Sequence, residues 1–328
     1  VLQSEFPLNP RPFDDVAKRL GAELDWVLTR TRELLDNRII RQITPIFDTR
    51  SLGYESMLVA ACVDPENPQR AAKVINAHPG VSHNYLRNHA FNLWFTIATP
   101  PDSKLGLDGT LEVLARESGA TSIRQLPTLT LFKINMNLEM EKGTEALASP
   151  GGESQERLQT PVALSDLDYA VIRNLQGPME VTETPYDAAA EATGITTREL
   201  LDYLEGMIDR GLLRRVAAIL FHRRAGFSAN GMGVWSVPED KIATIGPQMA
   251  AFRGISHCYQ RPTYEDWPYS VFTMAHGRSK AECDAILDEI AEQTGIHERS
   301  TLYSSTEYKK IRLHYFTPDY AEWEASRL

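Results

Sequence analysis

Apolar residues recur at helical spacing in three stretches of the second half of the chain. LSDLDYAVIRNLQ (164–176) is amphipathic, with Ser165 in the N-cap position. Tyr186–Ala192 forms a second stretch closed by the turn residue Gly194. Thr197–Asp209 forms a third, with Leu200, Leu201, Leu204, Met207 and Ile208 on one stripe. GLLRRV then begins a strand, so the spacing predicts a helix-turn-helix followed by a wing strand. A different rhythm follows the corresponding region of the first half. YESMLVAACV, NLWFTIATP and TLTLFKI read as strands, interleaved with amphipathic helices around Pro68–Asn76 and Gly109–Ser118. Strand, helix, strand, strand, helix, strand is the ferredoxin-like βαββαβ order.

The chain contains this unit twice. Residues 12–54 match residues 185–227 at a constant offset of 173: PFDDVAKRLG over PYDAAAEATG, NRIIRQI over RGLLRRV, and TRSLGY over HRRAGF. After a slip of one residue, GVSHNYLR (80–87) lies over GISHCYQR (254–261), so His-x-Tyr-x-Arg occurs in both copies. A three-residue insertion in copy two then aligns Phe95-Thr96 with Phe272-Thr273, and puts Thr49 and Thr99 at the positions of His222 and His276. Residues 137–164 have no aromatic residue and a Pro-Gly-Gly centre, which is linker composition. The expected division is a helix-turn-helix at 1–45 whose opening helix is truncated, a ferredoxin-like domain at 46–136, and a linker at 137–163. A helix-turn-helix at 164–217 and a ferredoxin-like domain at 218–328 complete it. The fold class is α+β, a tandem repeat of winged helix-turn-helix plus βαββαβ.

With 328 residues, 42% hydrophobic and 24% charged, the chain has material for packed cores. Thirty-four basic against 44 acidic residues leave a net charge of −10, a background field that repels polyanions. Cys62, Cys258 and Cys283 are an odd number without CxxC spacing, which disfavours a disulfide framework or a zinc site. No apolar run approaches a membrane span, and VLQSEFPLNP lacks the order of a secretory signal. The reading is a cytoplasmic protein with no membrane partner.

A winged helix-turn-helix followed by a ferredoxin-like domain resembles the Lrp/AsnC regulators. The rear motifs are more specific. HNYLRNHAFNLWFTI (83–97) and HCYQRPTYEDWPYSVFTMAHG (257–277), followed by YKKIRLHYF (308–316), resemble the two subunit types of the sirohaem decarboxylases, here fused as in the D–L type of haem d1 biosynthesis. The resemblance implies removal of CO2 from two acetate side chains of sirohaem to give 12,18-didecarboxysirohaem. No organic cofactor is required, and the iron tetrapyrrole is bound as substrate. The implied partners are sirohaem, its mono- and didecarboxylated products, and related subunits or a second copy of the chain.

Such a substrate needs cations for its carboxylates and flat apolar surface for its ring. The candidates for contact are Arg214, Arg215, His222, Arg223, Arg224, Lys309 and Lys310, with Trp267, Tyr269 and Tyr85. Decarboxylation leaves an electron pair on a methylene carbon that a proton must quench, a task suited to histidine. His257 is the first candidate, assisted by Tyr259 and Arg261, with His83, Tyr85 and Arg87 as counterparts in copy one. His276 is the second, as acid or, like His257, as an axial ligand of the substrate iron; no protein-bound metal site is expected. Copy two is expected to hold the fuller site and copy one to support or regulate it, the opposite assignment being the alternative. Each has a plain structural alternative: the repeated motif can maintain a strand edge, Trp267 and Tyr269 can be core, and Arg41 and Arg214 can be solvated strand ends. Asp266 is expected to orient a cation, and Cys258 to be a small buried apolar residue, with ligation of the iron as its alternative.

Two other functions share the fold: a DNA-binding regulator and a haem sensor or carrier without turnover. The second helix of copy two exposes Glu199, Asp202, Glu205 and Asp209 against Arg198, and that of copy one mixes Arg30 and Arg32 with Asp25, Glu33 and Asp36. Such faces offer little phosphate contact.

Overall fold

The structure is a computed structural model that describes residues 2–3, 6–134, 160–220 and 229–328. Its elements in chain order begin with α1 (Pro12–Leu20), α2 (Leu24–Asp36), β1 (Ile40–Phe47), β2 (Glu55–Cys62), α3 (Pro68–Asn76) and β3 (Val81–Arg87). Copy one continues with β4 (Leu93–Thr99), α4 (Gly106–Ser118), β5 (Ser122–Leu126) and β6 (Thr130–Ile134). Copy two opens with α5 (Asp166–Leu175), α6 (Asp187–Thr193), α7 (Thr197–Asp209), β7 (Leu213–Leu220), β8 (Ala229–Trp235) and α8 (Glu239–Ala251). It ends with β9 (Ile255–Gln260), β10 (Val271–Gly277), α9 (Lys280–Thr294), β11 (Arg299–Leu302), β12 (Ser304–Lys310) and α10 (Asp319–Ala325).

Local chemistry sets these boundaries. Ser165 caps α5 and Thr196 caps α7, each in a capping box closed by the acid three residues on, Asp168 and Glu199. Gly21 and Gly194 end the first helix of each helix-turn-helix in the left-handed conformation, at φ 62° and 78°. The apolar stripe of α7 (Leu200, Leu201, Leu204, Met207) shares one core with Val16, Val27 and Leu28 of copy one. β1 and β7 join the two units. Each was expected to be a separate wing strand; instead they pair antiparallel with each other, so one ribbon takes a strand from each copy.

Behind the ribbon stand two five-stranded sheets, ordered β12-β3-β4-β2-β5 and β11-β8-β10-β9-β6. Within each, the four strands of one copy follow the ferredoxin-like order, and the fifth is borrowed. β6 pairs with β9, and β12 pairs with β3. TLTLFKI therefore does form a strand, but not in the sheet of its own copy. The fold of copy one is closed by Ser122–Leu126, whose polar-rich SIRQL sequence hides it. The exchange is fastened symmetrically. Lys133 of β6 donates to Phe252 O at the end of α8 (3.1 Å), and Lys309 of β12 donates to Asn76 O (2.7 Å) and His78 O (3.3 Å) at the end of α3. A cation at a helix C-terminus satisfies carbonyls and meets the negative end of the helix dipole. Between the sheets lies an aromatic layer of Phe91, Trp94, Trp267 and Phe272, with Leu126 and Leu302.

Strand pairing also corrects the alignment of the copies. His83 lies opposite Thr96 and His257 opposite Met274, so the insertion in copy two is four residues, not three. Ala98 N donates to Gly80 O and His276 N to Gly254 O, both at 3.0 Å. The counterpart of His276 is thus Ala98, not Thr99. The predicted linker falls mostly on residues 135–159, outside the described residues.

One buried carboxylate ties the helices of copy two together. Asp168 is fully buried, and accepts from Arg210 Nη1 (3.1 Å), Tyr203 OH (3.0 Å) and Ser165 N (2.8 Å). Burial opposes its charge, but the Arg210 guanidinium and the Ser165 and Tyr203 donors outweigh burial and hold the carboxyl below its usual range. Asp168→Ala is expected to cost about 3 kcal/mol in urea denaturation, because it strands Arg210 and removes the α5 cap. The wild-type contribution is full above the ordinary carboxylate pKa near 4 and is lost as pH falls through the depressed one. A loss under about 0.5 kcal/mol would show that the network carries no stability.

Candidate active site

Alternation along β3 and β9 brings the His, Tyr and Arg of each repeated motif to one face. The pairing register breaks between Val81 and His83, and Met274–Ala275 faces a break at the same place in β9, so Ser82 and Ser256 are the extra residues of β-bulges. A bulge turns the serine toward its neighbour. Ser82 Oγ lies 3.0 Å from His83 Nδ1 and 2.8 Å from Thr96 Oγ1. Ser256 Oγ lies 2.6 Å from His257 Nδ1 and 2.6 Å from His276 Nε2. The axial-ligand alternative thus meets a His276 whose Nε2 and a His257 whose Nδ1 already face Ser256.

The motif arginines cross between copies. Arg87 donates to Leu302 O (3.1 Å) on β11, and Arg261 donates to Leu126 O on β5. Arg87 lies over Tyr85 and Trp94, and Arg261 over Tyr259 and Phe272. Burial pushes both guanidinium groups down to about 10. Each keeps a buried Nε with no partner among the described residues. These arginines fasten one copy to the other, a structural task apart from the expected assistance to the histidines.

A cavity of about 380 Å3 opens in front of His83 and Arg261, lined also by Thr49, Arg50, Ser82, Thr96 and Leu313. Both copies supply its charge. Lys310 stands opposite His83 in the β12–β3 pair, and Arg41 donates to Lys310 O at 3.2 Å. Burial, then the charges of Lys310 and Arg41, holds the His83 imidazole below its ordinary pKa. Arg312 donates to Pro45 O nearby. Arg214 is committed to an ion pair with Asp48 at 2.6 Å, beside Thr49 and Arg50, and Arg215 projects from β7 exposed. Tyr315 OH meets Thr49 Oγ1 at 2.8 Å.

Other predicted residues lie elsewhere. Trp267 is wholly buried against Phe91, Trp94 and His89, because the inserted segment of copy two folds into the layer between the sheets. Tyr269 packs edge-on to Trp267, at 4.9 Å between centroids. Lys309 is spent on the α3 carbonyls rather than on the cavity. Asp266 pairs with Arg124 at 2.8 Å. Cys258 is buried, and burial pushes its thiol up to about 12. His222, Arg223 and Arg224 lie outside the described residues, and with them the counterpart of Thr49-Arg50 in copy two. The expectation that copy two holds the fuller site rests in part on these residues outside the described ones; the His83 cavity is lined from both copies, with Arg261 and Leu313 from copy two. Arg50, Arg312, Ser82 and Ser256 were missed as site residues. The repeat held a signal for three of them: Arg50 aligns with Arg223, and serine precedes the motif histidine in both copies.

Comparison with known proteins agrees with this architecture. Residues 51–133 and 224–309 match the AsnC-like ligand binding domain, and residues 1–41 and 168–214 match the siroheme decarboxylase NirDL-like HTH domain. The siroheme decarboxylase of Hydrogenobacter thermophilus is 37% identical over 324 residues, 98% of this chain and 95% of that one. The chain belongs to the siroheme decarboxylase family. Half-length members exist: the siroheme decarboxylase beta subunit of Methanosarcina barkeri is 38% identical over 143 residues, 44% of this chain and 94% of its own. The crystal structure of the siroheme decarboxylase NirDL in co-complex with an iron-uroporphyrin III analogue superposes with a TM-score of 0.79 at 32% identity, covering 100% of this chain and 97% of that one. Among the described residues no helix is long and apolar enough to cross a membrane, and no His, Cys, Asp and Glu cluster is placed to hold a metal ion.

Two histidines, His78 buried and His257 half-buried, make the stability of this family member depend on pH. Burial, reinforced by Lys309 and Arg327, pushes His78 down to about 3, and burial with the charge of His276 pushes His257 down to about 4. Unfolded, both take protons near pH 6.5. Their contribution is full above about pH 6.5 and falls as pH drops toward those depressed values, by up to about 2 kcal/mol per histidine at pH 5. Urea midpoints at pH 7 and pH 5 read this directly. Equal midpoints would mean that neither ring is held neutral by the fold.

Proposed function

We propose that the chain is a carboxy-lyase acting on sirohaem, converting two of its acetate side chains to methyl groups and yielding 12,18-didecarboxysirohaem for haem d1 or an alternative haem pathway. The observation that carries this reading is the His83 cavity. Arg50 and Arg261 line it from opposite copies, and Lys310 and Arg41 act on its histidine, in a protein whose net charge is −10. A cationic recess in an acidic protein suits a small polycarboxylate better than a long polyanion. Similarity over nearly the whole chain to siroheme decarboxylases, one solved with an iron-uroporphyrin III analogue, supports the same substrate class. DNA finds less support, since α7 exposes Asp202, Glu205 and Asp209.

The residues' tasks follow from the reaction. A guanidinium grips the carboxylates that stay, fixing the ring's rotation. The reacting carboxylate is held where water is scarce, which favours loss of neutral CO2 over a solvated anion. The electron pair of the broken C–C bond is spread into the macrocycle and then collected as a C–H bond, with His83 or His257 as proton donor in its own copy. No organic cofactor enters this scheme, and iron arrives as part of the substrate. Three unpaired cysteines suit a reducing cytoplasm. Related subunits or a second copy of the chain are the proposed protein partners.

Anaerobic incubation of the purified chain with sirohaem, alone and with related subunits, followed by mass spectrometry, is expected to show loss of two CO2. Unchanged sirohaem under every combination overturns the proposal. His257→Ala and His83→Ala are each expected to bind sirohaem and lose turnover by about 10²-fold or more in the step they serve. Arg261→Ala is expected to weaken binding and turnover together.

A further inference from the structure

One hydroxyl sits between two imidazoles in copy two. Ser256 Oγ is 2.6 Å from His257 Nδ1 and 2.6 Å from His276 Nε2, with Met274 O at 3.4 Å. A serine hydroxyl carries a single proton. It cannot donate to both rings at these distances, so when it donates to one nitrogen the other must donate to it. The protonation patterns of the two rings are thereby linked. With Oγ–H directed at His257 Nδ1, the proton of a neutral His257 resides on Nε2 and His276 carries one on its own Nε2.

Copy one has the same serine in the same bulge but a different chain of contacts. Ser82 Oγ meets His83 Nδ1 and Thr96 Oγ1, and the backbone position of His276 is taken by Ala98. That chain ends on a hydroxyl, which is no source of protons near neutrality. Behind the serine the described halves differ: an imidazole stands there in copy two and a hydroxyl in copy one.

We infer that Ser256 is a positioning residue that passes a proton from His276 to Nδ1 of His257 while Nε2 of His257 protonates the carbon left by decarboxylation. This rests on the decarboxylase reading. The C–C bond to the carboxylate breaks, CO2 leaves, and its electron pair forms a C–H bond with the proton from His257 Nε2. His257 Nδ1 takes the Ser256 proton, and Ser256 takes one from Nε2 of a protonated His276. His276 is left neutral and regains its proton from water. One proton is consumed per CO2, and nothing is oxidised or reduced. Burial keeps His257 uncharged at neutral pH, which suits a ring that takes a proton on one nitrogen as it gives one from the other.

The test uses the full chain labelled with 15N-histidine. In the ligand-free protein, the nitrogen signals of His257 and His276 are expected to change together with pH, and Ser256→Ala is expected to separate them. Unchanged signals in Ser256→Ala overturn the link. With sirohaem, Ser256→Ala and His276→Gln are expected to keep binding, to slow turnover about 10- to 100-fold and to raise the solvent deuterium isotope effect. His276→Gln still offers Ser256 an N–H but supplies no proton, so it separates relay from simple hydrogen bonding. Ser256→Thr, which keeps the hydroxyl, is expected to restore most of the loss. Wild-type rates and isotope effects in both Ser256→Ala and His276→Gln overturn the relay. Coupled nitrogen signals in a wild-type chain that leaves sirohaem untouched would instead overturn the decarboxylase reading, and with it the relay's task.

Discussion

Neither sheet closes on the residues of its own copy. β6 must cross to β9 and β12 to β3, so parting the copies would bare two sheet edges and the aromatic layer between the sheets. Backbone pairing alone does not choose a register, because every residue offers the same N–H and C=O. Side chains make the choice: Lys133 and Lys309 reach helix ends, and Arg87 and Arg261 reach the carbonyls of Leu302 and Leu126. A buried guanidinium without its acceptor is expensive. A slipped pairing would strand two of them, which disfavours alternatives more than it strengthens the native arrangement.

The cavity depends on that docking. Lys310 belongs to copy two, yet acts on His83 because β12 has crossed; Arg261 belongs to copy two, yet lines the recess of copy one. A copy-one unit by itself would keep His83, Arg41 and Arg50 and lose the cations facing them. The fused chain holds both sources at a fixed distance, so neither must be gathered from solution at each encounter. Cations brought this close repel one another, and the strain is contained by tying several down: Arg214 to Asp48, Arg41 to Lys310 O, Arg312 to Pro45 O. Asp48 is the carboxylate in this group with Arg214 as its ion-pair partner; burial opposes its charge, but Ser51 and Arg214 hold it ionised.

Helices were legible in the sequence because their signals are local. Ser165, Thr197–Asp209 and Pro68–Asn76 stand where capping and apolar spacing put them. Strand partners were not legible, because pairing is a long-range choice that leaves no mark within a strand. TLTLFKI looks like a strand whichever sheet it joins, and the polar SIRQL looks like none. The repeat located the histidines and arginines, but an offset cannot see a β-bulge, so it missed why serine precedes each histidine; nor can it fix the length of an insertion without the strand pairing, so it placed the counterpart of His276 one residue late. Trp267 was left between two readings for a related reason: an aromatic beside cations suits a ring-binding pocket and an interface core equally, and the packing of Phe91 and Trp94 against it favours the core.

Pseudo-symmetry in this chain is kept and broken along a physical boundary. It is kept where a residue holds the copies together, Arg87 with Arg261, Lys133 with Lys309 and Leu126 with Leu302, and at the two bulges, Ser82 with Ser256. It is broken around the motif histidines: at the register position paired with the histidine Lys310 answers to Ile134, and behind the serine His276 answers to Ala98. A twofold substrate would favour two equal sites. A macrocycle whose side chains differ around its rim presents a different edge to each copy, and two unequal sites on one rigid frame can then answer two different acetates without the frame having to change.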